Sequence, residues 1–352
     1  MRVHVLALTL AGVLGLTAAS ARQSSLIEFP TSASADAQSA FLKGVAALVV
    51  LDYEAARDAF IEAQKLQPSF ALAYWGEAMT RNHPLDNEVE FDEGRAALAK
   101  LASTPAARLS KAPVEREKAW IAAVEKLYGA GDKPARDAAY ADAMRRMVDR
   151  FPEDSNVRVF CALALLGNLT NGQEPAAPGR IASILDPVLA RHPQHPGALL
   201  YAAAANVDPA RAMTGANYAD AFVKVAPDAW RALHLVSHVY AVLGRWDQVS
   251  AIEERAASAP GSFRARVWLV YALAQQGRYS EARGILEQLD RSARDAAMPS
   301  ARAPLAQARA LWLIETRKWA ESKAPMDSAG LQRGRQTHRK HRPRVPCSRW
   351  RR

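Results

Sequence analysis

Two histidines four residues apart, His234 and His238, are the side chains whose type and spacing point most directly to chemistry. On a helix, positions i and i+4 share a face, so two imidazoles at this spacing can reach a single metal ion. The local sequence offers no third ligand, and the possible donors elsewhere are His83, His192, His195 and Asp208. The alternative is that both histidines line the groove of a helical array, one of them hydrogen-bonded and partly buried. We favour this alternative because a metal site needs a third ligand and supporting hydrogen bonds.

No other spacing in the sequence matches a known catalytic motif. The sequence contains no Gly-rich phosphate loop, GxSxG elbow, HExxH motif, CxxC pair or Ser/Lys pair at a useful distance. Arg116 and Glu117 can present a binding pair to a groove, but acidic residues at a solvated helix start also complement the helix dipole. We favour the second account for this pair. The sequence therefore gives no support for an enzyme and predicts no cofactor.

The elements that must position these residues are helices. The chain has 352 residues, of which 49% are hydrophobic and 23% charged, and this composition excludes collagen-like, disulfide-scaffold and disordered proteins. From Ala35 to Ala320 the apolar residues recur at helical spacing, and no stretch sustains the period-two alternation of a strand. We therefore predict helix through this range and no sheet of more than two strands.

Internal repeats indicate how the helices are arranged. Between Ser39 and Pro68, six residues fall at the offsets of a tetratricopeptide unit of about 34 residues, and these are Gly44, Tyr53, Ala56, Phe60, Ala63 and Pro68. Small residues at 44 and 56 let two antiparallel helices cross closely, aromatic residues at 53 and 60 fill the groove between them, and the proline stops the second helix.

The same spacing returns later in the chain. Gly244 and Gly277 are 33 residues apart, and so are Trp246 and Tyr279, which is close to the expected period. We therefore predict an all-α fold, a right-handed α-solenoid of tetratricopeptide-like helical hairpins over residues 36–325.

The first 21 residues have the features of a signal peptide. A short cationic head precedes an apolar run from Val5 to Leu16, and Ala19-x-Ala21 suits signal peptidase. As a helix the run spans about 18 Å, short of the roughly 30 Å hydrocarbon core. We therefore expect cleavage after Ala21, a linker over residues 22–35, no permanent membrane span, and a periplasmic or secreted protein.

The net charge of +10 is concentrated at the C-terminus. Residues 333–352 contain nine Lys or Arg and no Asp or Glu, which leaves 37 basic against 36 acidic residues elsewhere. We therefore predict that residues 326–352 form a basic, disordered tail. The loss of helical periodicity in this segment indicates a truncated or frame-altered C-terminus. Such a tail can bind nucleic acid or an anionic lipid surface, but export argues against nucleic acid as a partner.

Four motifs carry a resemblance to a known group of proteins: AYWGEAM at 73–79, HPL at 83–85, HPGAL at 195–199 and HLVSHVYAVLGRW at 234–246. Over roughly residues 38–320 the chain resembles exported bacterial tetratricopeptide-fold proteins. That group's pattern is richer in histidine than this chain, which has Leu200, Ala204 and Arg231 where histidine would be expected. The resemblance implies a helical-repeat fold and no chemistry that carries over.

These observations predict a non-catalytic binding or scaffold protein whose concave groove takes a peptide, a protein or a small ligand. The first helix of each hairpin faces inward in such an array. The ligand-binding candidates therefore lie at or in such helices, and they are His234, His238, Trp230, Tyr240, His195, Tyr201 and Trp75. The alternative is a metal-dependent hydrolase that uses the two histidines of the pair.

The prediction of export rests on the sequence alone and not on the fold. Protein recovered from the periplasm or the medium of a bacterial host should begin at Arg22, because Ala19-x-Ala21 directs cleavage after Ala21. N-terminal sequencing of the recovered protein measures this directly. Recovery of exported protein that retains Met1 would contradict the prediction.

Overall fold

The computed structural model describes residues 25–170, 177–295 and 297–323. The signal peptide assigned to residues 1–21 and the tail assigned to residues 326–352 lie outside these ranges. Within them helices dominate, so the predicted all-α class is confirmed. Among these residues no helix is long and apolar enough to cross a membrane.

The chain divides into two compact units, Met1–Ala259 and Pro260–Arg352, where the sequence predicted one repeat domain over residues 36–325. The first half of the first unit contains eight described helices. They are α1 (Ala35–Val49), α2 (Tyr53–Leu66), α3 (Ala71–Met79), α4 (Phe91–Leu101), α5 (Pro105–Lys111), α6 (Glu115–Leu127), α7 (Lys133–Arg150) and α8 (Ser155–Thr170).

The rest of the first unit contains α9 (Ala177–Arg191), α10 (Pro196–Ala205), α11 (Ala212–Val225), α12 (Trp230–Val242) and α13 (Trp246–Ala257). One short antiparallel pair interrupts the helices: β1 (Asn82–His83) pairs with β2 (Glu88–Val89). In the described ranges this pair is the largest sheet, as the sequence predicted, although it falls where the periodicity indicated continuous helix.

The first hairpin is built around Phe60, as the repeat offsets predicted. A Cβ atom added at Gly44 of α1 would lie 2.7 Å from the ring of Phe60, and one added at Gly76 of α3 would lie 2.4 Å from it. These distances are shorter than any real Cβ contact, so only glycine lets both helices approach the ring this closely. Phe60 is fully buried between them.

An aromatic core extends from this hairpin toward α6 and α8. The ring of Trp75 lies 5.0 Å from that of Trp120 and 5.3 Å from that of Phe160, and Phe29 lies 5.4 Å from Trp120. All four side chains are at most 1% exposed. Rings at such separations in edge-to-face or tilted geometry stabilise a core beyond the area they bury. The segment before α1 is therefore anchored into the helices that follow it.

The second unit contains α14 (Phe263–Gln275), α15 (Tyr279–Arg294), a 3-10 turn (Pro299–Ala301), α16 (Arg302–Thr316) and a final 3-10 turn (Trp319–Lys323). Its core includes Phe263, Val267, Leu289 and Leu305.

Glycines explain the 33-residue period in the sequence. Gly244 ends α12 with φ +69°, and Gly277 ends α14 with φ +72°. Each occupies the left-handed conformation that closes a helix, which glycine adopts without the strain that a Cβ atom brings. Both are followed two residues later by the first residue of the next helix, Trp246 or Tyr279. The repeated Gly-x-aromatic spacing is therefore the turn of a helical hairpin.

The close approach at Phe60 predicts a stability difference between two glycines. Gly76→Ala should lower the free energy of unfolding by about 1–3 kcal/mol, because the added methyl group overpacks the core. Gly179→Ala is the matched control, since this helical glycine of α9 has no atom within 4 Å of an added Cβ, and the change should be neutral or stabilising by up to about 1 kcal/mol. Urea unfolding followed by circular dichroism measures both variants, and equal effects would contradict the packing described.

Candidate functional site

The two histidines identified in the sequence lie on one face of α12. The ring centroids of His234 and His238 are 4.9 Å apart with an interplanar angle of 81°. This is an edge-to-face pair, as the i, i+4 spacing on a helix predicts. The His234 side chain is 16% exposed, so the pair reaches the surface at one end.

A buried carboxylate from the neighbouring helix holds this pair. Glu253 of α13 is 0% exposed, and its Oε1 accepts a hydrogen bond from Ser237 Oγ at 2.5 Å. His234 Nδ1 lies 2.9 Å from Oε1 and 3.2 Å from Oε2 of the same carboxylate. Burial raises the pKa of Glu253, while its hydrogen bonds with His234 and Ser237 act in the opposite direction. His234 Nδ1 is therefore held against the Glu253 carboxylate, which fixes the orientation of the imidazole ring.

His238 is the more deeply placed of the two imidazoles. Burial lowers the pKa of His238 to about 3, and the adjacent His234 contributes in the same direction. The ring is therefore neutral at physiological pH. A neutral imidazole offers one donor and one acceptor nitrogen, so His238 adds hydrogen-bonding groups and no positive charge.

An aromatic and cationic cluster continues from the histidines along the same helix. The guanidinium of Arg231 lies 4.3 Å from the ring centroid of Trp230 and 5.8 Å from that of Tyr53 at the start of α2. Arg231 Nη2 also donates to Glu54 Oε1 at 2.7 Å. The ring of Tyr53 in turn stacks on His83 with centroids 4.0 Å apart. The cluster therefore connects α12 with the first hairpin and β1.

We call this set of side chains the α12 surface. Its partly or fully exposed members are Glu54, His83, Trp230, Arg231, His234 and His238, and the buried ring of Tyr53 lies against Arg231 and His83. Sequence reasoning missed Arg231 as a member and treated it only as a departure from a histidine-rich pattern. Its position three residues before His234 was the available signal, because positions i and i+3 also share a helical face.

Several residues proposed for the groove from the sequence lie in the core. Trp75 and Tyr201 are 0% exposed and Tyr240 is 1% exposed, so a ligand has no surface of these side chains to contact. Tyr240 is two residues from His238, a rotation of about 200° around the helix, and its hydroxyl donates to Asp220 at 2.6 Å. Of the seven candidates, only Trp230, His234 and His238 are partly exposed on one helix.

His195, the remaining candidate, belongs to a different place in the first unit. It precedes α10, where its Nδ1 accepts a hydrogen bond from the backbone N–H of Ala198. The pocket that it lines includes no residue of α12. The structure therefore does not bring His195 together with the histidine pair.

The other metal-ligand donors considered from the sequence are also engaged elsewhere. His83 stacks on Tyr53, and the carboxylate of Asp208 pairs with Arg211. Across residues 25–170, 177–295 and 297–323, no group of three or more His, Cys, Asp or Glu side chains is arranged to hold a metal ion. The donors described here therefore do not supply the third ligand that the hydrolase alternative requires.

One family model and two solved structures are similar to this chain, and the family match agrees with the helical-repeat architecture. Residues 243–305 match the sequence model of the tetratricopeptide repeat family. The crystal structure of yeast Tom70 is similar over 78% of this chain and 69% of its own, at 13% identity and a TM-score of 0.38. The crystal structure of the P58(IPK) TPR domain is similar over 86% of this chain and 90% of its own, at 12% identity and a TM-score of 0.23.

Both TM-scores are below 0.5, so neither likeness bears on what this chain does. No curated protein sequence matches the chain. The class of protein is therefore given by the fold and the matched segment: this is an all-α helical-repeat protein that contains tetratricopeptide repeat sequence.

The buried imidazole of His238 predicts a pH dependence of stability. Its pKa is about 3 when folded and about 6.5 when unfolded, so between these values the unfolded chain binds more protons. Stability therefore rises with pH across this window and is fully present above pH 6.5. From pH 7 to pH 5 the wild type should lose about 1–2 kcal/mol more than His238→Gln.

Urea titrations at the two pH values measure this difference. The control is His192→Gln, which changes a histidine outside α12 and should retain the wild-type loss. Equal losses in the wild type and His238→Gln would show that His238 is not held neutral by burial.

Proposed function

We propose that the protein binds a peptide segment of a partner protein at the α12 surface and carries out no reaction there. Helical repeats typically present side chains of one set of helices to a partner. The observation that carries the proposal is that Trp230, Arg231 and His234 are partly exposed on one helix while each is held by a neighbouring group.

The side chains of this surface suit a peptide. Trp and Arg are among the residues that most often dominate protein interfaces, and the partly exposed Trp230 and Arg231 are in contact here. Imidazole nitrogens can pair with backbone C=O and N–H groups, and His234 is partly exposed beside this cluster on the same helix. Arg231 already pairs with Glu54, so the surface has little net charge and does not select a polyanion.

The surface is also ordered before a partner arrives. Glu253 orients His234, and Glu54 and Trp230 fix the guanidinium of Arg231. Immobilising a flexible side chain at an interface costs about 0.5–1.5 kcal/mol. Because these side chains are already held, that cost is reduced on binding.

We also propose that binding takes place after export, in the periplasm or outside the cell. The support for this location is the sequence of residues 1–21 alone, and sequencing of the mature N-terminus tests it. The proposal for the α12 surface does not depend on the location.

Variants that test the binding proposal must change binding without changing stability. His234→Ala would remove a hydrogen bond from the buried carboxylate of Glu253, and a stranded buried group costs about 1–3 kcal/mol or more. That variant would therefore lose stability as well as any binding. Trp230→Ala and Arg231→Ala change partly exposed side chains, so they separate binding from folding more cleanly.

Peptides selected from a displayed random library against the full chain should bind Trp230→Ala and Arg231→Ala about tenfold more weakly, as expected for loss of about 1.4 kcal/mol at an interface. The matched control is Leu66→Ala, which changes a 46% exposed residue at the end of α2 far from Tyr53 and Glu54, outside the α12 surface. Fluorescence polarisation with the selected peptide gives the three affinities. If no peptide is enriched, or if Trp230→Ala and Arg231→Ala bind like the control, the proposed site is wrong.

A further inference from the structure

A polar pocket of about 250 Å³ lies in the first unit, apart from the α12 surface. Four segments line it: the chain before α1, the start of α6, the turn into α8 and the turn between α9 and α10. Neither the repeat pattern nor the proposed peptide site accounts for the polar residues that line it.

The first of these groups is His195, which is 3% exposed. Its Nδ1 accepts the backbone N–H of Ala198 at 3.2 Å and so caps α10. Burial lowers the pKa of His195 to about 4, so the ring is neutral and carries its hydrogen on Nε2. Within the described residues no atom accepts that hydrogen, although Nε2 is buried.

The second group is the guanidinium of Arg116. The expectation of a solvated helix start for Arg116 and Glu117 is wrong, because Glu117 is 1% exposed and accepts hydrogen bonds from Ser32, and Arg116 is partly buried. Its Nε donates to Asp154, its Nη1 donates to the Pro30 carbonyl at 3.0 Å, and its plane lies 4.4 Å from the ring centroid of Phe29. Its Nη2 is buried and has no acceptor among the residues that the structure describes. These contacts hold the guanidinium in one orientation with one N–H group still to be satisfied.

Two buried donors without acceptors in the lining of one pocket point to a ligand that brings an oxygen. A buried unsatisfied polar group costs about 1–3 kcal/mol, and more when it is charged, so a native structure seldom keeps two together without a use. A planar guanidinium and a fixed N–H donor suit a carboxylate.

The charges around the pocket further limit which ligands it can bind. Arg116 is paired with Asp154, and Arg191 is paired with Glu153 at 3.1 Å. The exposed residue Glu28 also lines the pocket. The lining therefore has no net positive charge and would repel a dianion such as phosphate. A ligand that carries one carboxylate and one ammonium group matches both the donors and the acidic side chains.

We propose that this pocket binds a small zwitterion of the α-amino acid class. Its carboxylate accepts hydrogen bonds from His195 Nε2 and Arg116 Nη2, and its ammonium group faces Glu28 and Glu153. The pocket has the volume for a single amino acid and not for a folded partner. This proposal goes beyond the peptide-binding function and does not rest on it.

Calorimetric titration of the full chain with each of the twenty standard L-amino acids tests the proposal. At least one should bind saturably with a stoichiometry of one. Its amide, which lacks the carboxylate, and its N-acetyl derivative, which lacks the ammonium, should each bind at least about tenfold more weakly. Binding of inorganic phosphate, equal binding of the two derivatives, or no binding of any amino acid would overturn the assignment.

Variants of the two donors locate the site. His195→Asn keeps a side-chain oxygen that can cap α10 and removes the Nε2 donor, and Arg116→Lys keeps the charge beside Asp154 and removes Nη2. Each should weaken amino acid binding by about tenfold or more. Glu62→Gln, which changes an exposed carboxylate of α2 outside the pocket, is the matched control.

Glu28→Gln provides a test that does not depend on the buried groups. Its side chain is exposed, so the variant should fold, and loss of its charge should weaken binding of the amino acid while leaving the N-acetyl derivative unaffected. Wild-type affinity in His195→Asn, Arg116→Lys and Glu28→Gln together would overturn the proposal. None of these variants should alter binding of the peptide selected for the α12 surface.

Discussion

The α12 surface depends on a single buried carboxylate. Glu253 has no exposure to water, and a polar group in such a place is tolerated only when it is hydrogen-bonded. Ser237 and His234 satisfy it, and both come from the adjacent helix. This interaction therefore sets the register of α12 against α13, and it also sets the orientation of the imidazole that reaches the surface. The hydrogen bonds of Glu253 therefore serve both the packing of α12 on α13 and the orientation of a side chain in the proposed binding site.

A second link joins this helix pair to the beginning of the chain. Arg231 contacts Glu54 and Tyr53 although the residues are more than 170 positions apart in sequence. An exposed ion pair of this kind contributes little to stability, so the contact matters mainly for placement. It puts Tyr53 and Glu54 of the first hairpin beside Arg231 of α12, so the α12 surface is complete only when both parts of the unit are folded.

Local spacing in the sequence predicted the features that depend on helix geometry. The small residue at Gly44, the ring of Phe60 and the paired turns at Gly244 and Gly277 all follow from a repeat period, because hairpin packing imposes the same requirement in each unit. The i, i+4 pair of His234 and His238 was predictable for the same reason. These features involve residues close together in the chain or related by the period.

Features that depend on distant contacts were not predictable in this way. Nothing in the spacing marks Glu253 as the partner of His234, and the burial of Trp75 depends on helices that arrive much later in the chain. Tyr240 was assigned to the groove by its helix, whereas its position around that helix places it in the core. His195 lies in the HPGAL segment at 195–199, and its cap on α10 is a local contact. Its place in one pocket with Arg116, however, depends on four separate segments meeting.

Site-specific photo-crosslinking tests most directly whether a partner peptide lies against α12. A photoreactive side chain introduced by Trp230→p-benzoylphenylalanine in the full chain should form a covalent adduct with the selected peptide on irradiation. The same side chain introduced at Leu66, an exposed position at the end of α2 outside the α12 surface, should form little. Adducts at both positions in equal yield, or at Leu66 alone, would contradict binding at α12.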